Sequence, residues 1–443
     1  MAWGWLSLTR VLLLVLLAPL TAADADAKSK VKADPPPAGS GDGLAYESIQ
    51  KVDIYTDNAT APAAQSPPVE GWWESKICQG EYCVYTNRRL FNGRGLVAVT
   101  KFEEFQKMER VDDYLNRGEN KYFEDPVPFV ETEVLNKGLG ITANKTIRRG
   151  KVLMSWSPVL VVHKAFFNQV PKTADRARLL ETAISFLHPA TRAKFDKQRV
   201  VPPGSSSPNA RSIEDILLAY PYEVDMGFNN YHQMDENNHS KHYVNYPEAA
   251  VLQHDCRPNV ATHIDQSFSL RATVARRVQP GEELTVSYID PFLPRSERVA
   301  WVKRHRSGGG EVGCPCSACS PPGGPKGEAA KKADARLKEI TAMRAELRNH
   351  DSTKVDIKMI DRFVRLYEEE RLHARLAEAY ELAALNANYL GDDKRAKKYA
   401  DLAVQAGIVE GGTQSNDVVA MRIMASDIKG HYSYRYTLKR RGQ

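Results

Sequence analysis

Residues 250–264 read AVLQHDCRPNVATHI, and Cys256 within them stands far from every other cysteine in the chain. The sequence has six cysteines: Cys78 and Cys83 form a C-x4-C pair, and Cys314, Cys316 and Cys319 crowd into GCPCSAC at 313–319. A structural zinc site is tetrahedral and closed, so the C-x-C-x2-C group lacks one thiolate, which Cys256 can supply. Cys78 and Cys83 are then left to close a short disulfide loop if the chain meets an oxidising compartment. The alternative is a set of mixed disulfides among all six cysteines. Zinc is the preferred reading because adjacent C-x-C thiols bridge each other poorly and suit a metal well.

The chain has 443 residues and a formal net charge of +6, with both signs of charge spread along it. It can bury at least one substantial core. Basic clusters at Lys303 to Arg306 and Lys439 to Arg441 are short and lie near acidic residues. Without a long Lys/Arg run or an aromatic-interleaved stripe, direct nucleic-acid binding is not expected. At the start, Arg10 precedes a compact apolar run, Val11 to Leu17, and small residues follow to Ala27. This pattern predicts a secretory signal peptide over 1–25, and the run is too short to leave a membrane span once cleaved. Sequons at Asn58, Asn144 and Asn238 agree with a secreted or lumenal chain, the nucleus or cytoplasm being the alternative if the signal is unused.

Residues 26–70 are rich in Ala, Asp, Pro, Gly and Ser and predict a disordered spacer. Residues 71–124, with YCVYTNRRLFNGRGLVAVT at 82–100, predict a small β-rich module. Short apolar runs broken by Gly138, Gly140 and Gly150 predict two strands, and ADRARLLETAISFL (174–187) and SIEDILLAYPYEV (212–224) predict helices within an insert over about 161–243. Strand signals return at SFSLRATVARRV (267–278), with a turn at Gln279-Pro280-Gly281. Residues 325–443 are helical in character, broken at Gly391 and Asp392 into a hairpin. Tyr380, Ala383, Ala384, Ala396, Ala400 and Ala403 fall near the small-residue spacing of one tetratricopeptide unit, an ordinary α-hairpin being the alternative. The fold class is α+β.

Four stretches occur in a telling order: KGLGITANKTIRRGKVL (137–153), QHDCRPN (253–259), GEELTVSYID (281–290) and CPCSAC (314–319). Together they resemble the SET domain of protein lysine methyltransferases with its cysteine-rich post-SET tail. The split domain and helical C-terminus are similar to the SET-MYND subfamily and related fungal proteins. No Cys/His array interrupts the insert, so the MYND finger is absent. The resemblance implies small curved β-sheets over 125–293 with a helical insert, a zinc-bound post-SET tail over 294–320, and a segment around Cys256 threaded beneath a neighbouring loop.

It also implies S-adenosylmethionine as cofactor, zinc as structural metal and a protein lysine as substrate. Lys137, Gly138, Leu139 and Gly140 would meet the cofactor's methionine portion, glycines permitting close approach. Gln253 and His254 stand where the family has Asn-His, and Asp255 where it has Ser. Tyr288 would be the catalytic residue, orienting the reacting groups; Tyr246 and Phe292 are further cofactor-pocket candidates, and Asn259 a structural one. The alternative function is a noncatalytic SET-fold binding protein of the secretory pathway whose helical C-terminus holds a peptide or protein partner.

Overall fold

The computed structural model describes residues 71–442, except 111, 135–136, 200–210, 221, 227–239, 306–312 and 325. The expected signal peptide, the spacer, Asn58 and Asn238 lie outside the described residues. The first strands are β1 (Trp73–Gln79), β2 (Tyr82–Asn87), β3 (Leu96–Thr100), β4 (Lys121–Tyr122), β5 (Phe129–Val134), β6 (Gly138–Ala143) and β7 (Val152–Trp156). Then follow β8 (Leu160–His163), β9 (Tyr222–Asp225), β10 (Lys241–Asn245), β11 (Gln253–His254), β12 (Val260–Ile264), β13 (Leu270–Val274) and β14 (Thr285–Val286).

A six-stranded sheet runs β1-β2-β3-β8-β10-β9, and a four-stranded sheet runs β12-β13-β7-β4. Every residue of β3 and β8 is buried. Alternation explains why: Val97, Val99, Leu160 and Val162 enter one core, and Leu96, Ala98 and Val161 enter a second core behind the sheet. The strands of residues 71–124 therefore do not close a core of their own. β1, β2 and β3 share one sheet with strands from 160–245, β3 pairing in parallel with β8, and β4 joins the four-stranded sheet through β7. The insert expected over about 161–243 is likewise only partly helical. It begins in β8 and ends in β9 and β10, and its helices, including Thr173–Ser185, Pro189–Asp196 and Ile213–Ala219, lie between.

Past the sheets, Arg295–His305 is a helix, and then Glu328–Arg348, Ile357–Glu369, Leu376–Tyr389, Asp393–Gly411, Asn416–Ser426 and Tyr436–Arg440 build a helical lobe. Gly391 takes φ +72° at the hairpin turn, and the Asp392 side chain caps the next helix at Arg395 N. Ala383, Ala384, Ala396, Ala400 and Ala403 are buried in the lobe's core, where small side chains let two helices approach closely.

The lobe is bound to the central motif by charge. Arg257, directly after Cys256, is 6 % exposed and meets the Glu370 carboxylate at 2.9 Å; Arg336 meets the other oxygen of Glu370 at 2.5 Å. Arg257 also donates to the carbonyls of Cys256 and Pro291. Removing one partner of a buried pair strands the other charge away from water. Glu370→Ala should accordingly lower stability by on the order of 3–5 kcal/mol in chemical denaturation. Glu339→Ala, which breaks a largely exposed pair with Arg362 in the same lobe, should change it little.

Candidate functional site

The central motif is held by backbone pairing and by one carboxamide. β11 pairs in parallel with β14, which sets Gln253 opposite Thr285 and His254 opposite Val286. Asn259 donates from Nδ2 to the Glu283 carbonyl at 2.8 Å and accepts at Oδ1 from Thr285 N at 2.9 Å. A carboxamide does both at once, which an ionised carboxylate, having no donor, cannot. Asp255, standing where the resembling family has Ser, accepts at 2.7 Å from Arg257 N, the turn-closing bond that a short oxygen-bearing side chain makes two residues ahead. Burial, then the nearby Cys316 sulfur, pushes its carboxyl pKa upward.

Cys256, Cys314, Cys316 and Cys319 are buried free thiols, and their four sulfurs all lie within 4.8 Å of one another. The Cys256 sulfur is 3.5 Å from that of Cys319 and 3.9 Å from that of Cys314. A tetrahedron with Zn–S bonds of ~2.3 Å has edges of about 3.8 Å, so the donor set fits zinc. The turn Cys316 to Ser320, with Cys319 N and Ser320 N both donating to the Cys316 carbonyl, gathers the tail cysteines. Cys78 and Cys83 stand apart as a disulfide between β1 and β2.

Two donors aim at these sulfurs. His254 Nδ1 must accept from Tyr288 N at 3.1 Å, because a backbone N–H only donates, so the ring proton sits on Nε2, 3.3 Å from the Cys256 sulfur. Arg298, 1 % exposed, donates to the Leu293 carbonyl at 2.9 Å and to the Cys319 sulfur at 3.3 Å. Burial works against its charge, but the Cys256 and Cys319 sulfurs more than offset that and raise its pKa. The sequence reading missed Arg298, because nothing in RSERVAWVKRH shows which of its three arginines faces inward.

The remaining candidates gather beside the imidazole. Tyr288 is 7 % exposed, its hydroxyl donates to the Leu252 carbonyl, and its ring lies 5.5 Å from both His254 and Tyr220. Gln253 Nε2 donates to the Leu139 carbonyl at 2.6 Å, which ties β11 to the Gly138–Gly140 strand. Gly138 has φ +84°, and a Cβ on Gly140 would fall 2.8 Å from Val134 and 3.3 Å from Gln253, so both glycines are required. Lys137 pairs with Glu283 at 2.6 Å, yet the second Glu283 oxygen is buried with no hydrogen bond, 3.7 Å from that Gly140 Cβ position. Burial raises the Glu283 pKa, and Lys137 opposes the rise.

Two expected pocket residues do not join this group. Tyr246 follows β10 on the face of Val244 and enters the second core, its hydroxyl donating to the Phe268 carbonyl at 2.8 Å. Phe292 points into the helical lobe, 5.5 Å from the Tyr367 ring and under the Arg344 guanidinium at 4.3 Å.

Residues 138–289 match the family model described as SET domain. The chain carries a SET domain. No curated protein matches the chain. The matched segment begins at the Gly138 strand and ends one residue past Tyr288, so it encloses the central motif and Cys256. The other three cysteines follow the SET domain and fold back onto it, burying all four sulfurs in one cluster.

Removing a donor from the thiolates should weaken metal retention without removing a ligand. Arg298→Leu should lower zinc affinity by roughly tenfold to a hundredfold in chelator competition, in the range found for groups that support metal ligands. Cys314→Ser should abolish stoichiometric zinc by elemental analysis. Unchanged zinc retention in Arg298→Leu would show that the guanidinium plays no part.

Proposed function

We propose that the chain is an S-adenosylmethionine-dependent protein lysine N-methyltransferase. The observation that carries this reading is the pair of hydrogen bonds that joins Tyr288 to His254 and Gln253 to the Gly138–Gly140 strand within the SET domain. When bound, S-adenosylmethionine supplies a methyl group on a sulfonium. Lys137, Gly138, Leu139, Gly140, Gln253 and His254 are the residues that would hold it. The unpaired Glu283 oxygen beside Gly140 suits an ammonium of the kind an amino-acid portion carries.

The chain's own contribution is positioning and desolvation. Tyr288, by donating its proton to the Leu252 carbonyl, fixes its oxygen and leaves lone pairs that accept from a lysine amine. Burial favours the neutral amine over the ammonium, the form able to attack. Aligning the reactants in this way accelerates transfer with no strong base. Zinc enters no step: the Cys256 cluster holds the tail and, through His254, the backbone of Tyr288.

Tyr288→Phe should lower turnover by roughly tenfold or more, equal to at least about 1.4 kcal/mol of transition-state stabilisation. Because the change also removes a buried hydrogen bond, zinc content and calorimetric affinity for S-adenosylmethionine are measured alongside and should hold. A rate equal to wild type removes Tyr288 from the mechanism. No cofactor binding by zinc-loaded protein leaves the noncatalytic binding protein as the better reading.

We further propose that the chain works in the secretory pathway, supported by the apolar run at Val11 to Leu17 and by the Cys78–Cys83 disulfide. Asn144 is exposed beyond β6 within its sequon. In secretory expression Asn144→Gln should remove one glycan's worth of electrophoretic shift. Recovery of only uncleaved, unglycosylated protein from the cytosol would overturn the location.

A further inference from the structure

The helical lobe and the SET domain meet along a seam containing two cavities. The smaller, about 80 Å³, is lined by Pro258, Thr262, Ser287 and Pro291 on one side and Leu372, Arg375 and Glu410 on the other. Ser287 is the residue before Tyr288, so this end of the seam reaches the segment that carries the proposed chemistry. The larger, about 320 Å³, is walled by Arg149, Arg276, Arg277 and His373 over a floor of Leu376, Tyr380 and Leu402.

The cations of the larger cavity are held in place. Arg149 donates from Nε to the Ala275 carbonyl at 3.1 Å, which joins the turn before β7 to the one after β13. Arg276 donates to the Arg277 carbonyl at 2.9 Å and pairs with Glu282 at 3.2 Å. Arg149 and Arg277 are both exposed, and among the described residues neither has a carboxylate in ion-pair range. His373 senses the field: burial lowers its pKa first, then Arg276, Arg371 and Arg149 lower it further. Two carboxyls lie close by: Glu368 is hydrogen-bonded to Tyr380, and Glu410, which lines the smaller cavity and accepts from Ala377 N at 2.9 Å, has its pKa pushed up to about 7 by burial. Three arginines against the carboxylates of Glu282 and Glu368 leave the balance positive, beside apolar side chains that fit methylene stems.

We propose that this cavity binds anionic side chains of a polypeptide, carboxylates or phosphate esters, lying along the seam between the SET domain and the helical lobe. Planar guanidinium groups match both anions in bidentate geometry. The cavity is larger than a single small anion requires and opens between two lobes, which suits a chain segment. Combined with the methyltransferase reading, on which only this corollary rests, it assigns substrates whose target lysine lies near acidic or phosphorylated residues.

The test measures binding by fluorescence anisotropy with the full zinc-loaded chain and no cofactor, so that failure of catalysis is a separate result. The probes are a labelled Glu-rich peptide with a central lysine, the same peptide with Gln for Glu, and the same with phosphoserine for Glu. The Glu or phosphoserine peptide should bind roughly tenfold or more tightly than the Gln peptide, with an advantage that falls as salt rises; which of the two binds identifies the anion. Arg149→Glu with Arg277→Glu should abolish the advantage while thermal midpoint and zinc content hold. Lys172→Glu with Lys338→Glu, equal in charge and exposed elsewhere, should leave it intact. Equal binding of all three peptides, or equal loss in both double variants, overturns the proposal.

Discussion

Four sulfur atoms buried within 4.8 Å of one another set the terms for the rest of the molecule. As thiolates they repel one another strongly where water cannot screen them, and a divalent zinc still leaves two negative charges in the cluster. The surroundings answer that residue of charge. A buried guanidinium faces one sulfur and an imidazole N–H another. The tautomer that the imidazole needs for this is the one that lets it accept from Tyr288 N. The charge state of the cluster is thereby coupled, through one ring, to the backbone of the residue proposed to orient methyl transfer.

The helical lobe belongs to the same arrangement. Arg257 ties Glu370 to the carbonyls of Cys256 and Pro291, and Phe292 inserts among the lobe's aromatics. The segment after Tyr288 thus emerges between two anchors, the metal-binding tail on one side and the lobe on the other. The seam with its cationic cavity follows from this packing, since the arginine-bearing turns lie where β7 begins and β13 ends, against the lobe.

Much of this was legible in the sequence where a residue type has few uses. Three crowded cysteines lacking a fourth pointed to Cys256, and the four sulfurs do lie together. Gln279-Pro280-Gly281 is a turn with Gly281 at φ +85°, and Gly391-Asp392 ends one helix and caps another. What stayed hidden depends on long-range packing. Nothing local shows that β3 pairs with β8, because a strand buried on both faces has no periodic sign of its neighbour. Tyr246 and Phe292 pack away from the His254 group for the same reason: an aromatic near a motif can face any of several cores. Arg298 and Glu283 carry no signal at all in a chain in which charged residues are everywhere.

The separations along the chain have a consequence for synthesis. The Cys256 sulfur meets partners 58 and 63 residues later, and Arg257 meets its carboxylate 113 residues later. A ribosome that has just delivered the whole SET domain has therefore delivered one metal ligand of four and a cation with no counterion. Translation must run past Cys319 before the ligand set is complete and past Glu370 before the cation meets its partner, and until the first of these the thiol of Cys256 is open to oxidation and to wrong partners. For this chain the vulnerable interval of its life is the stretch of elongation between Cys256 and Glu370.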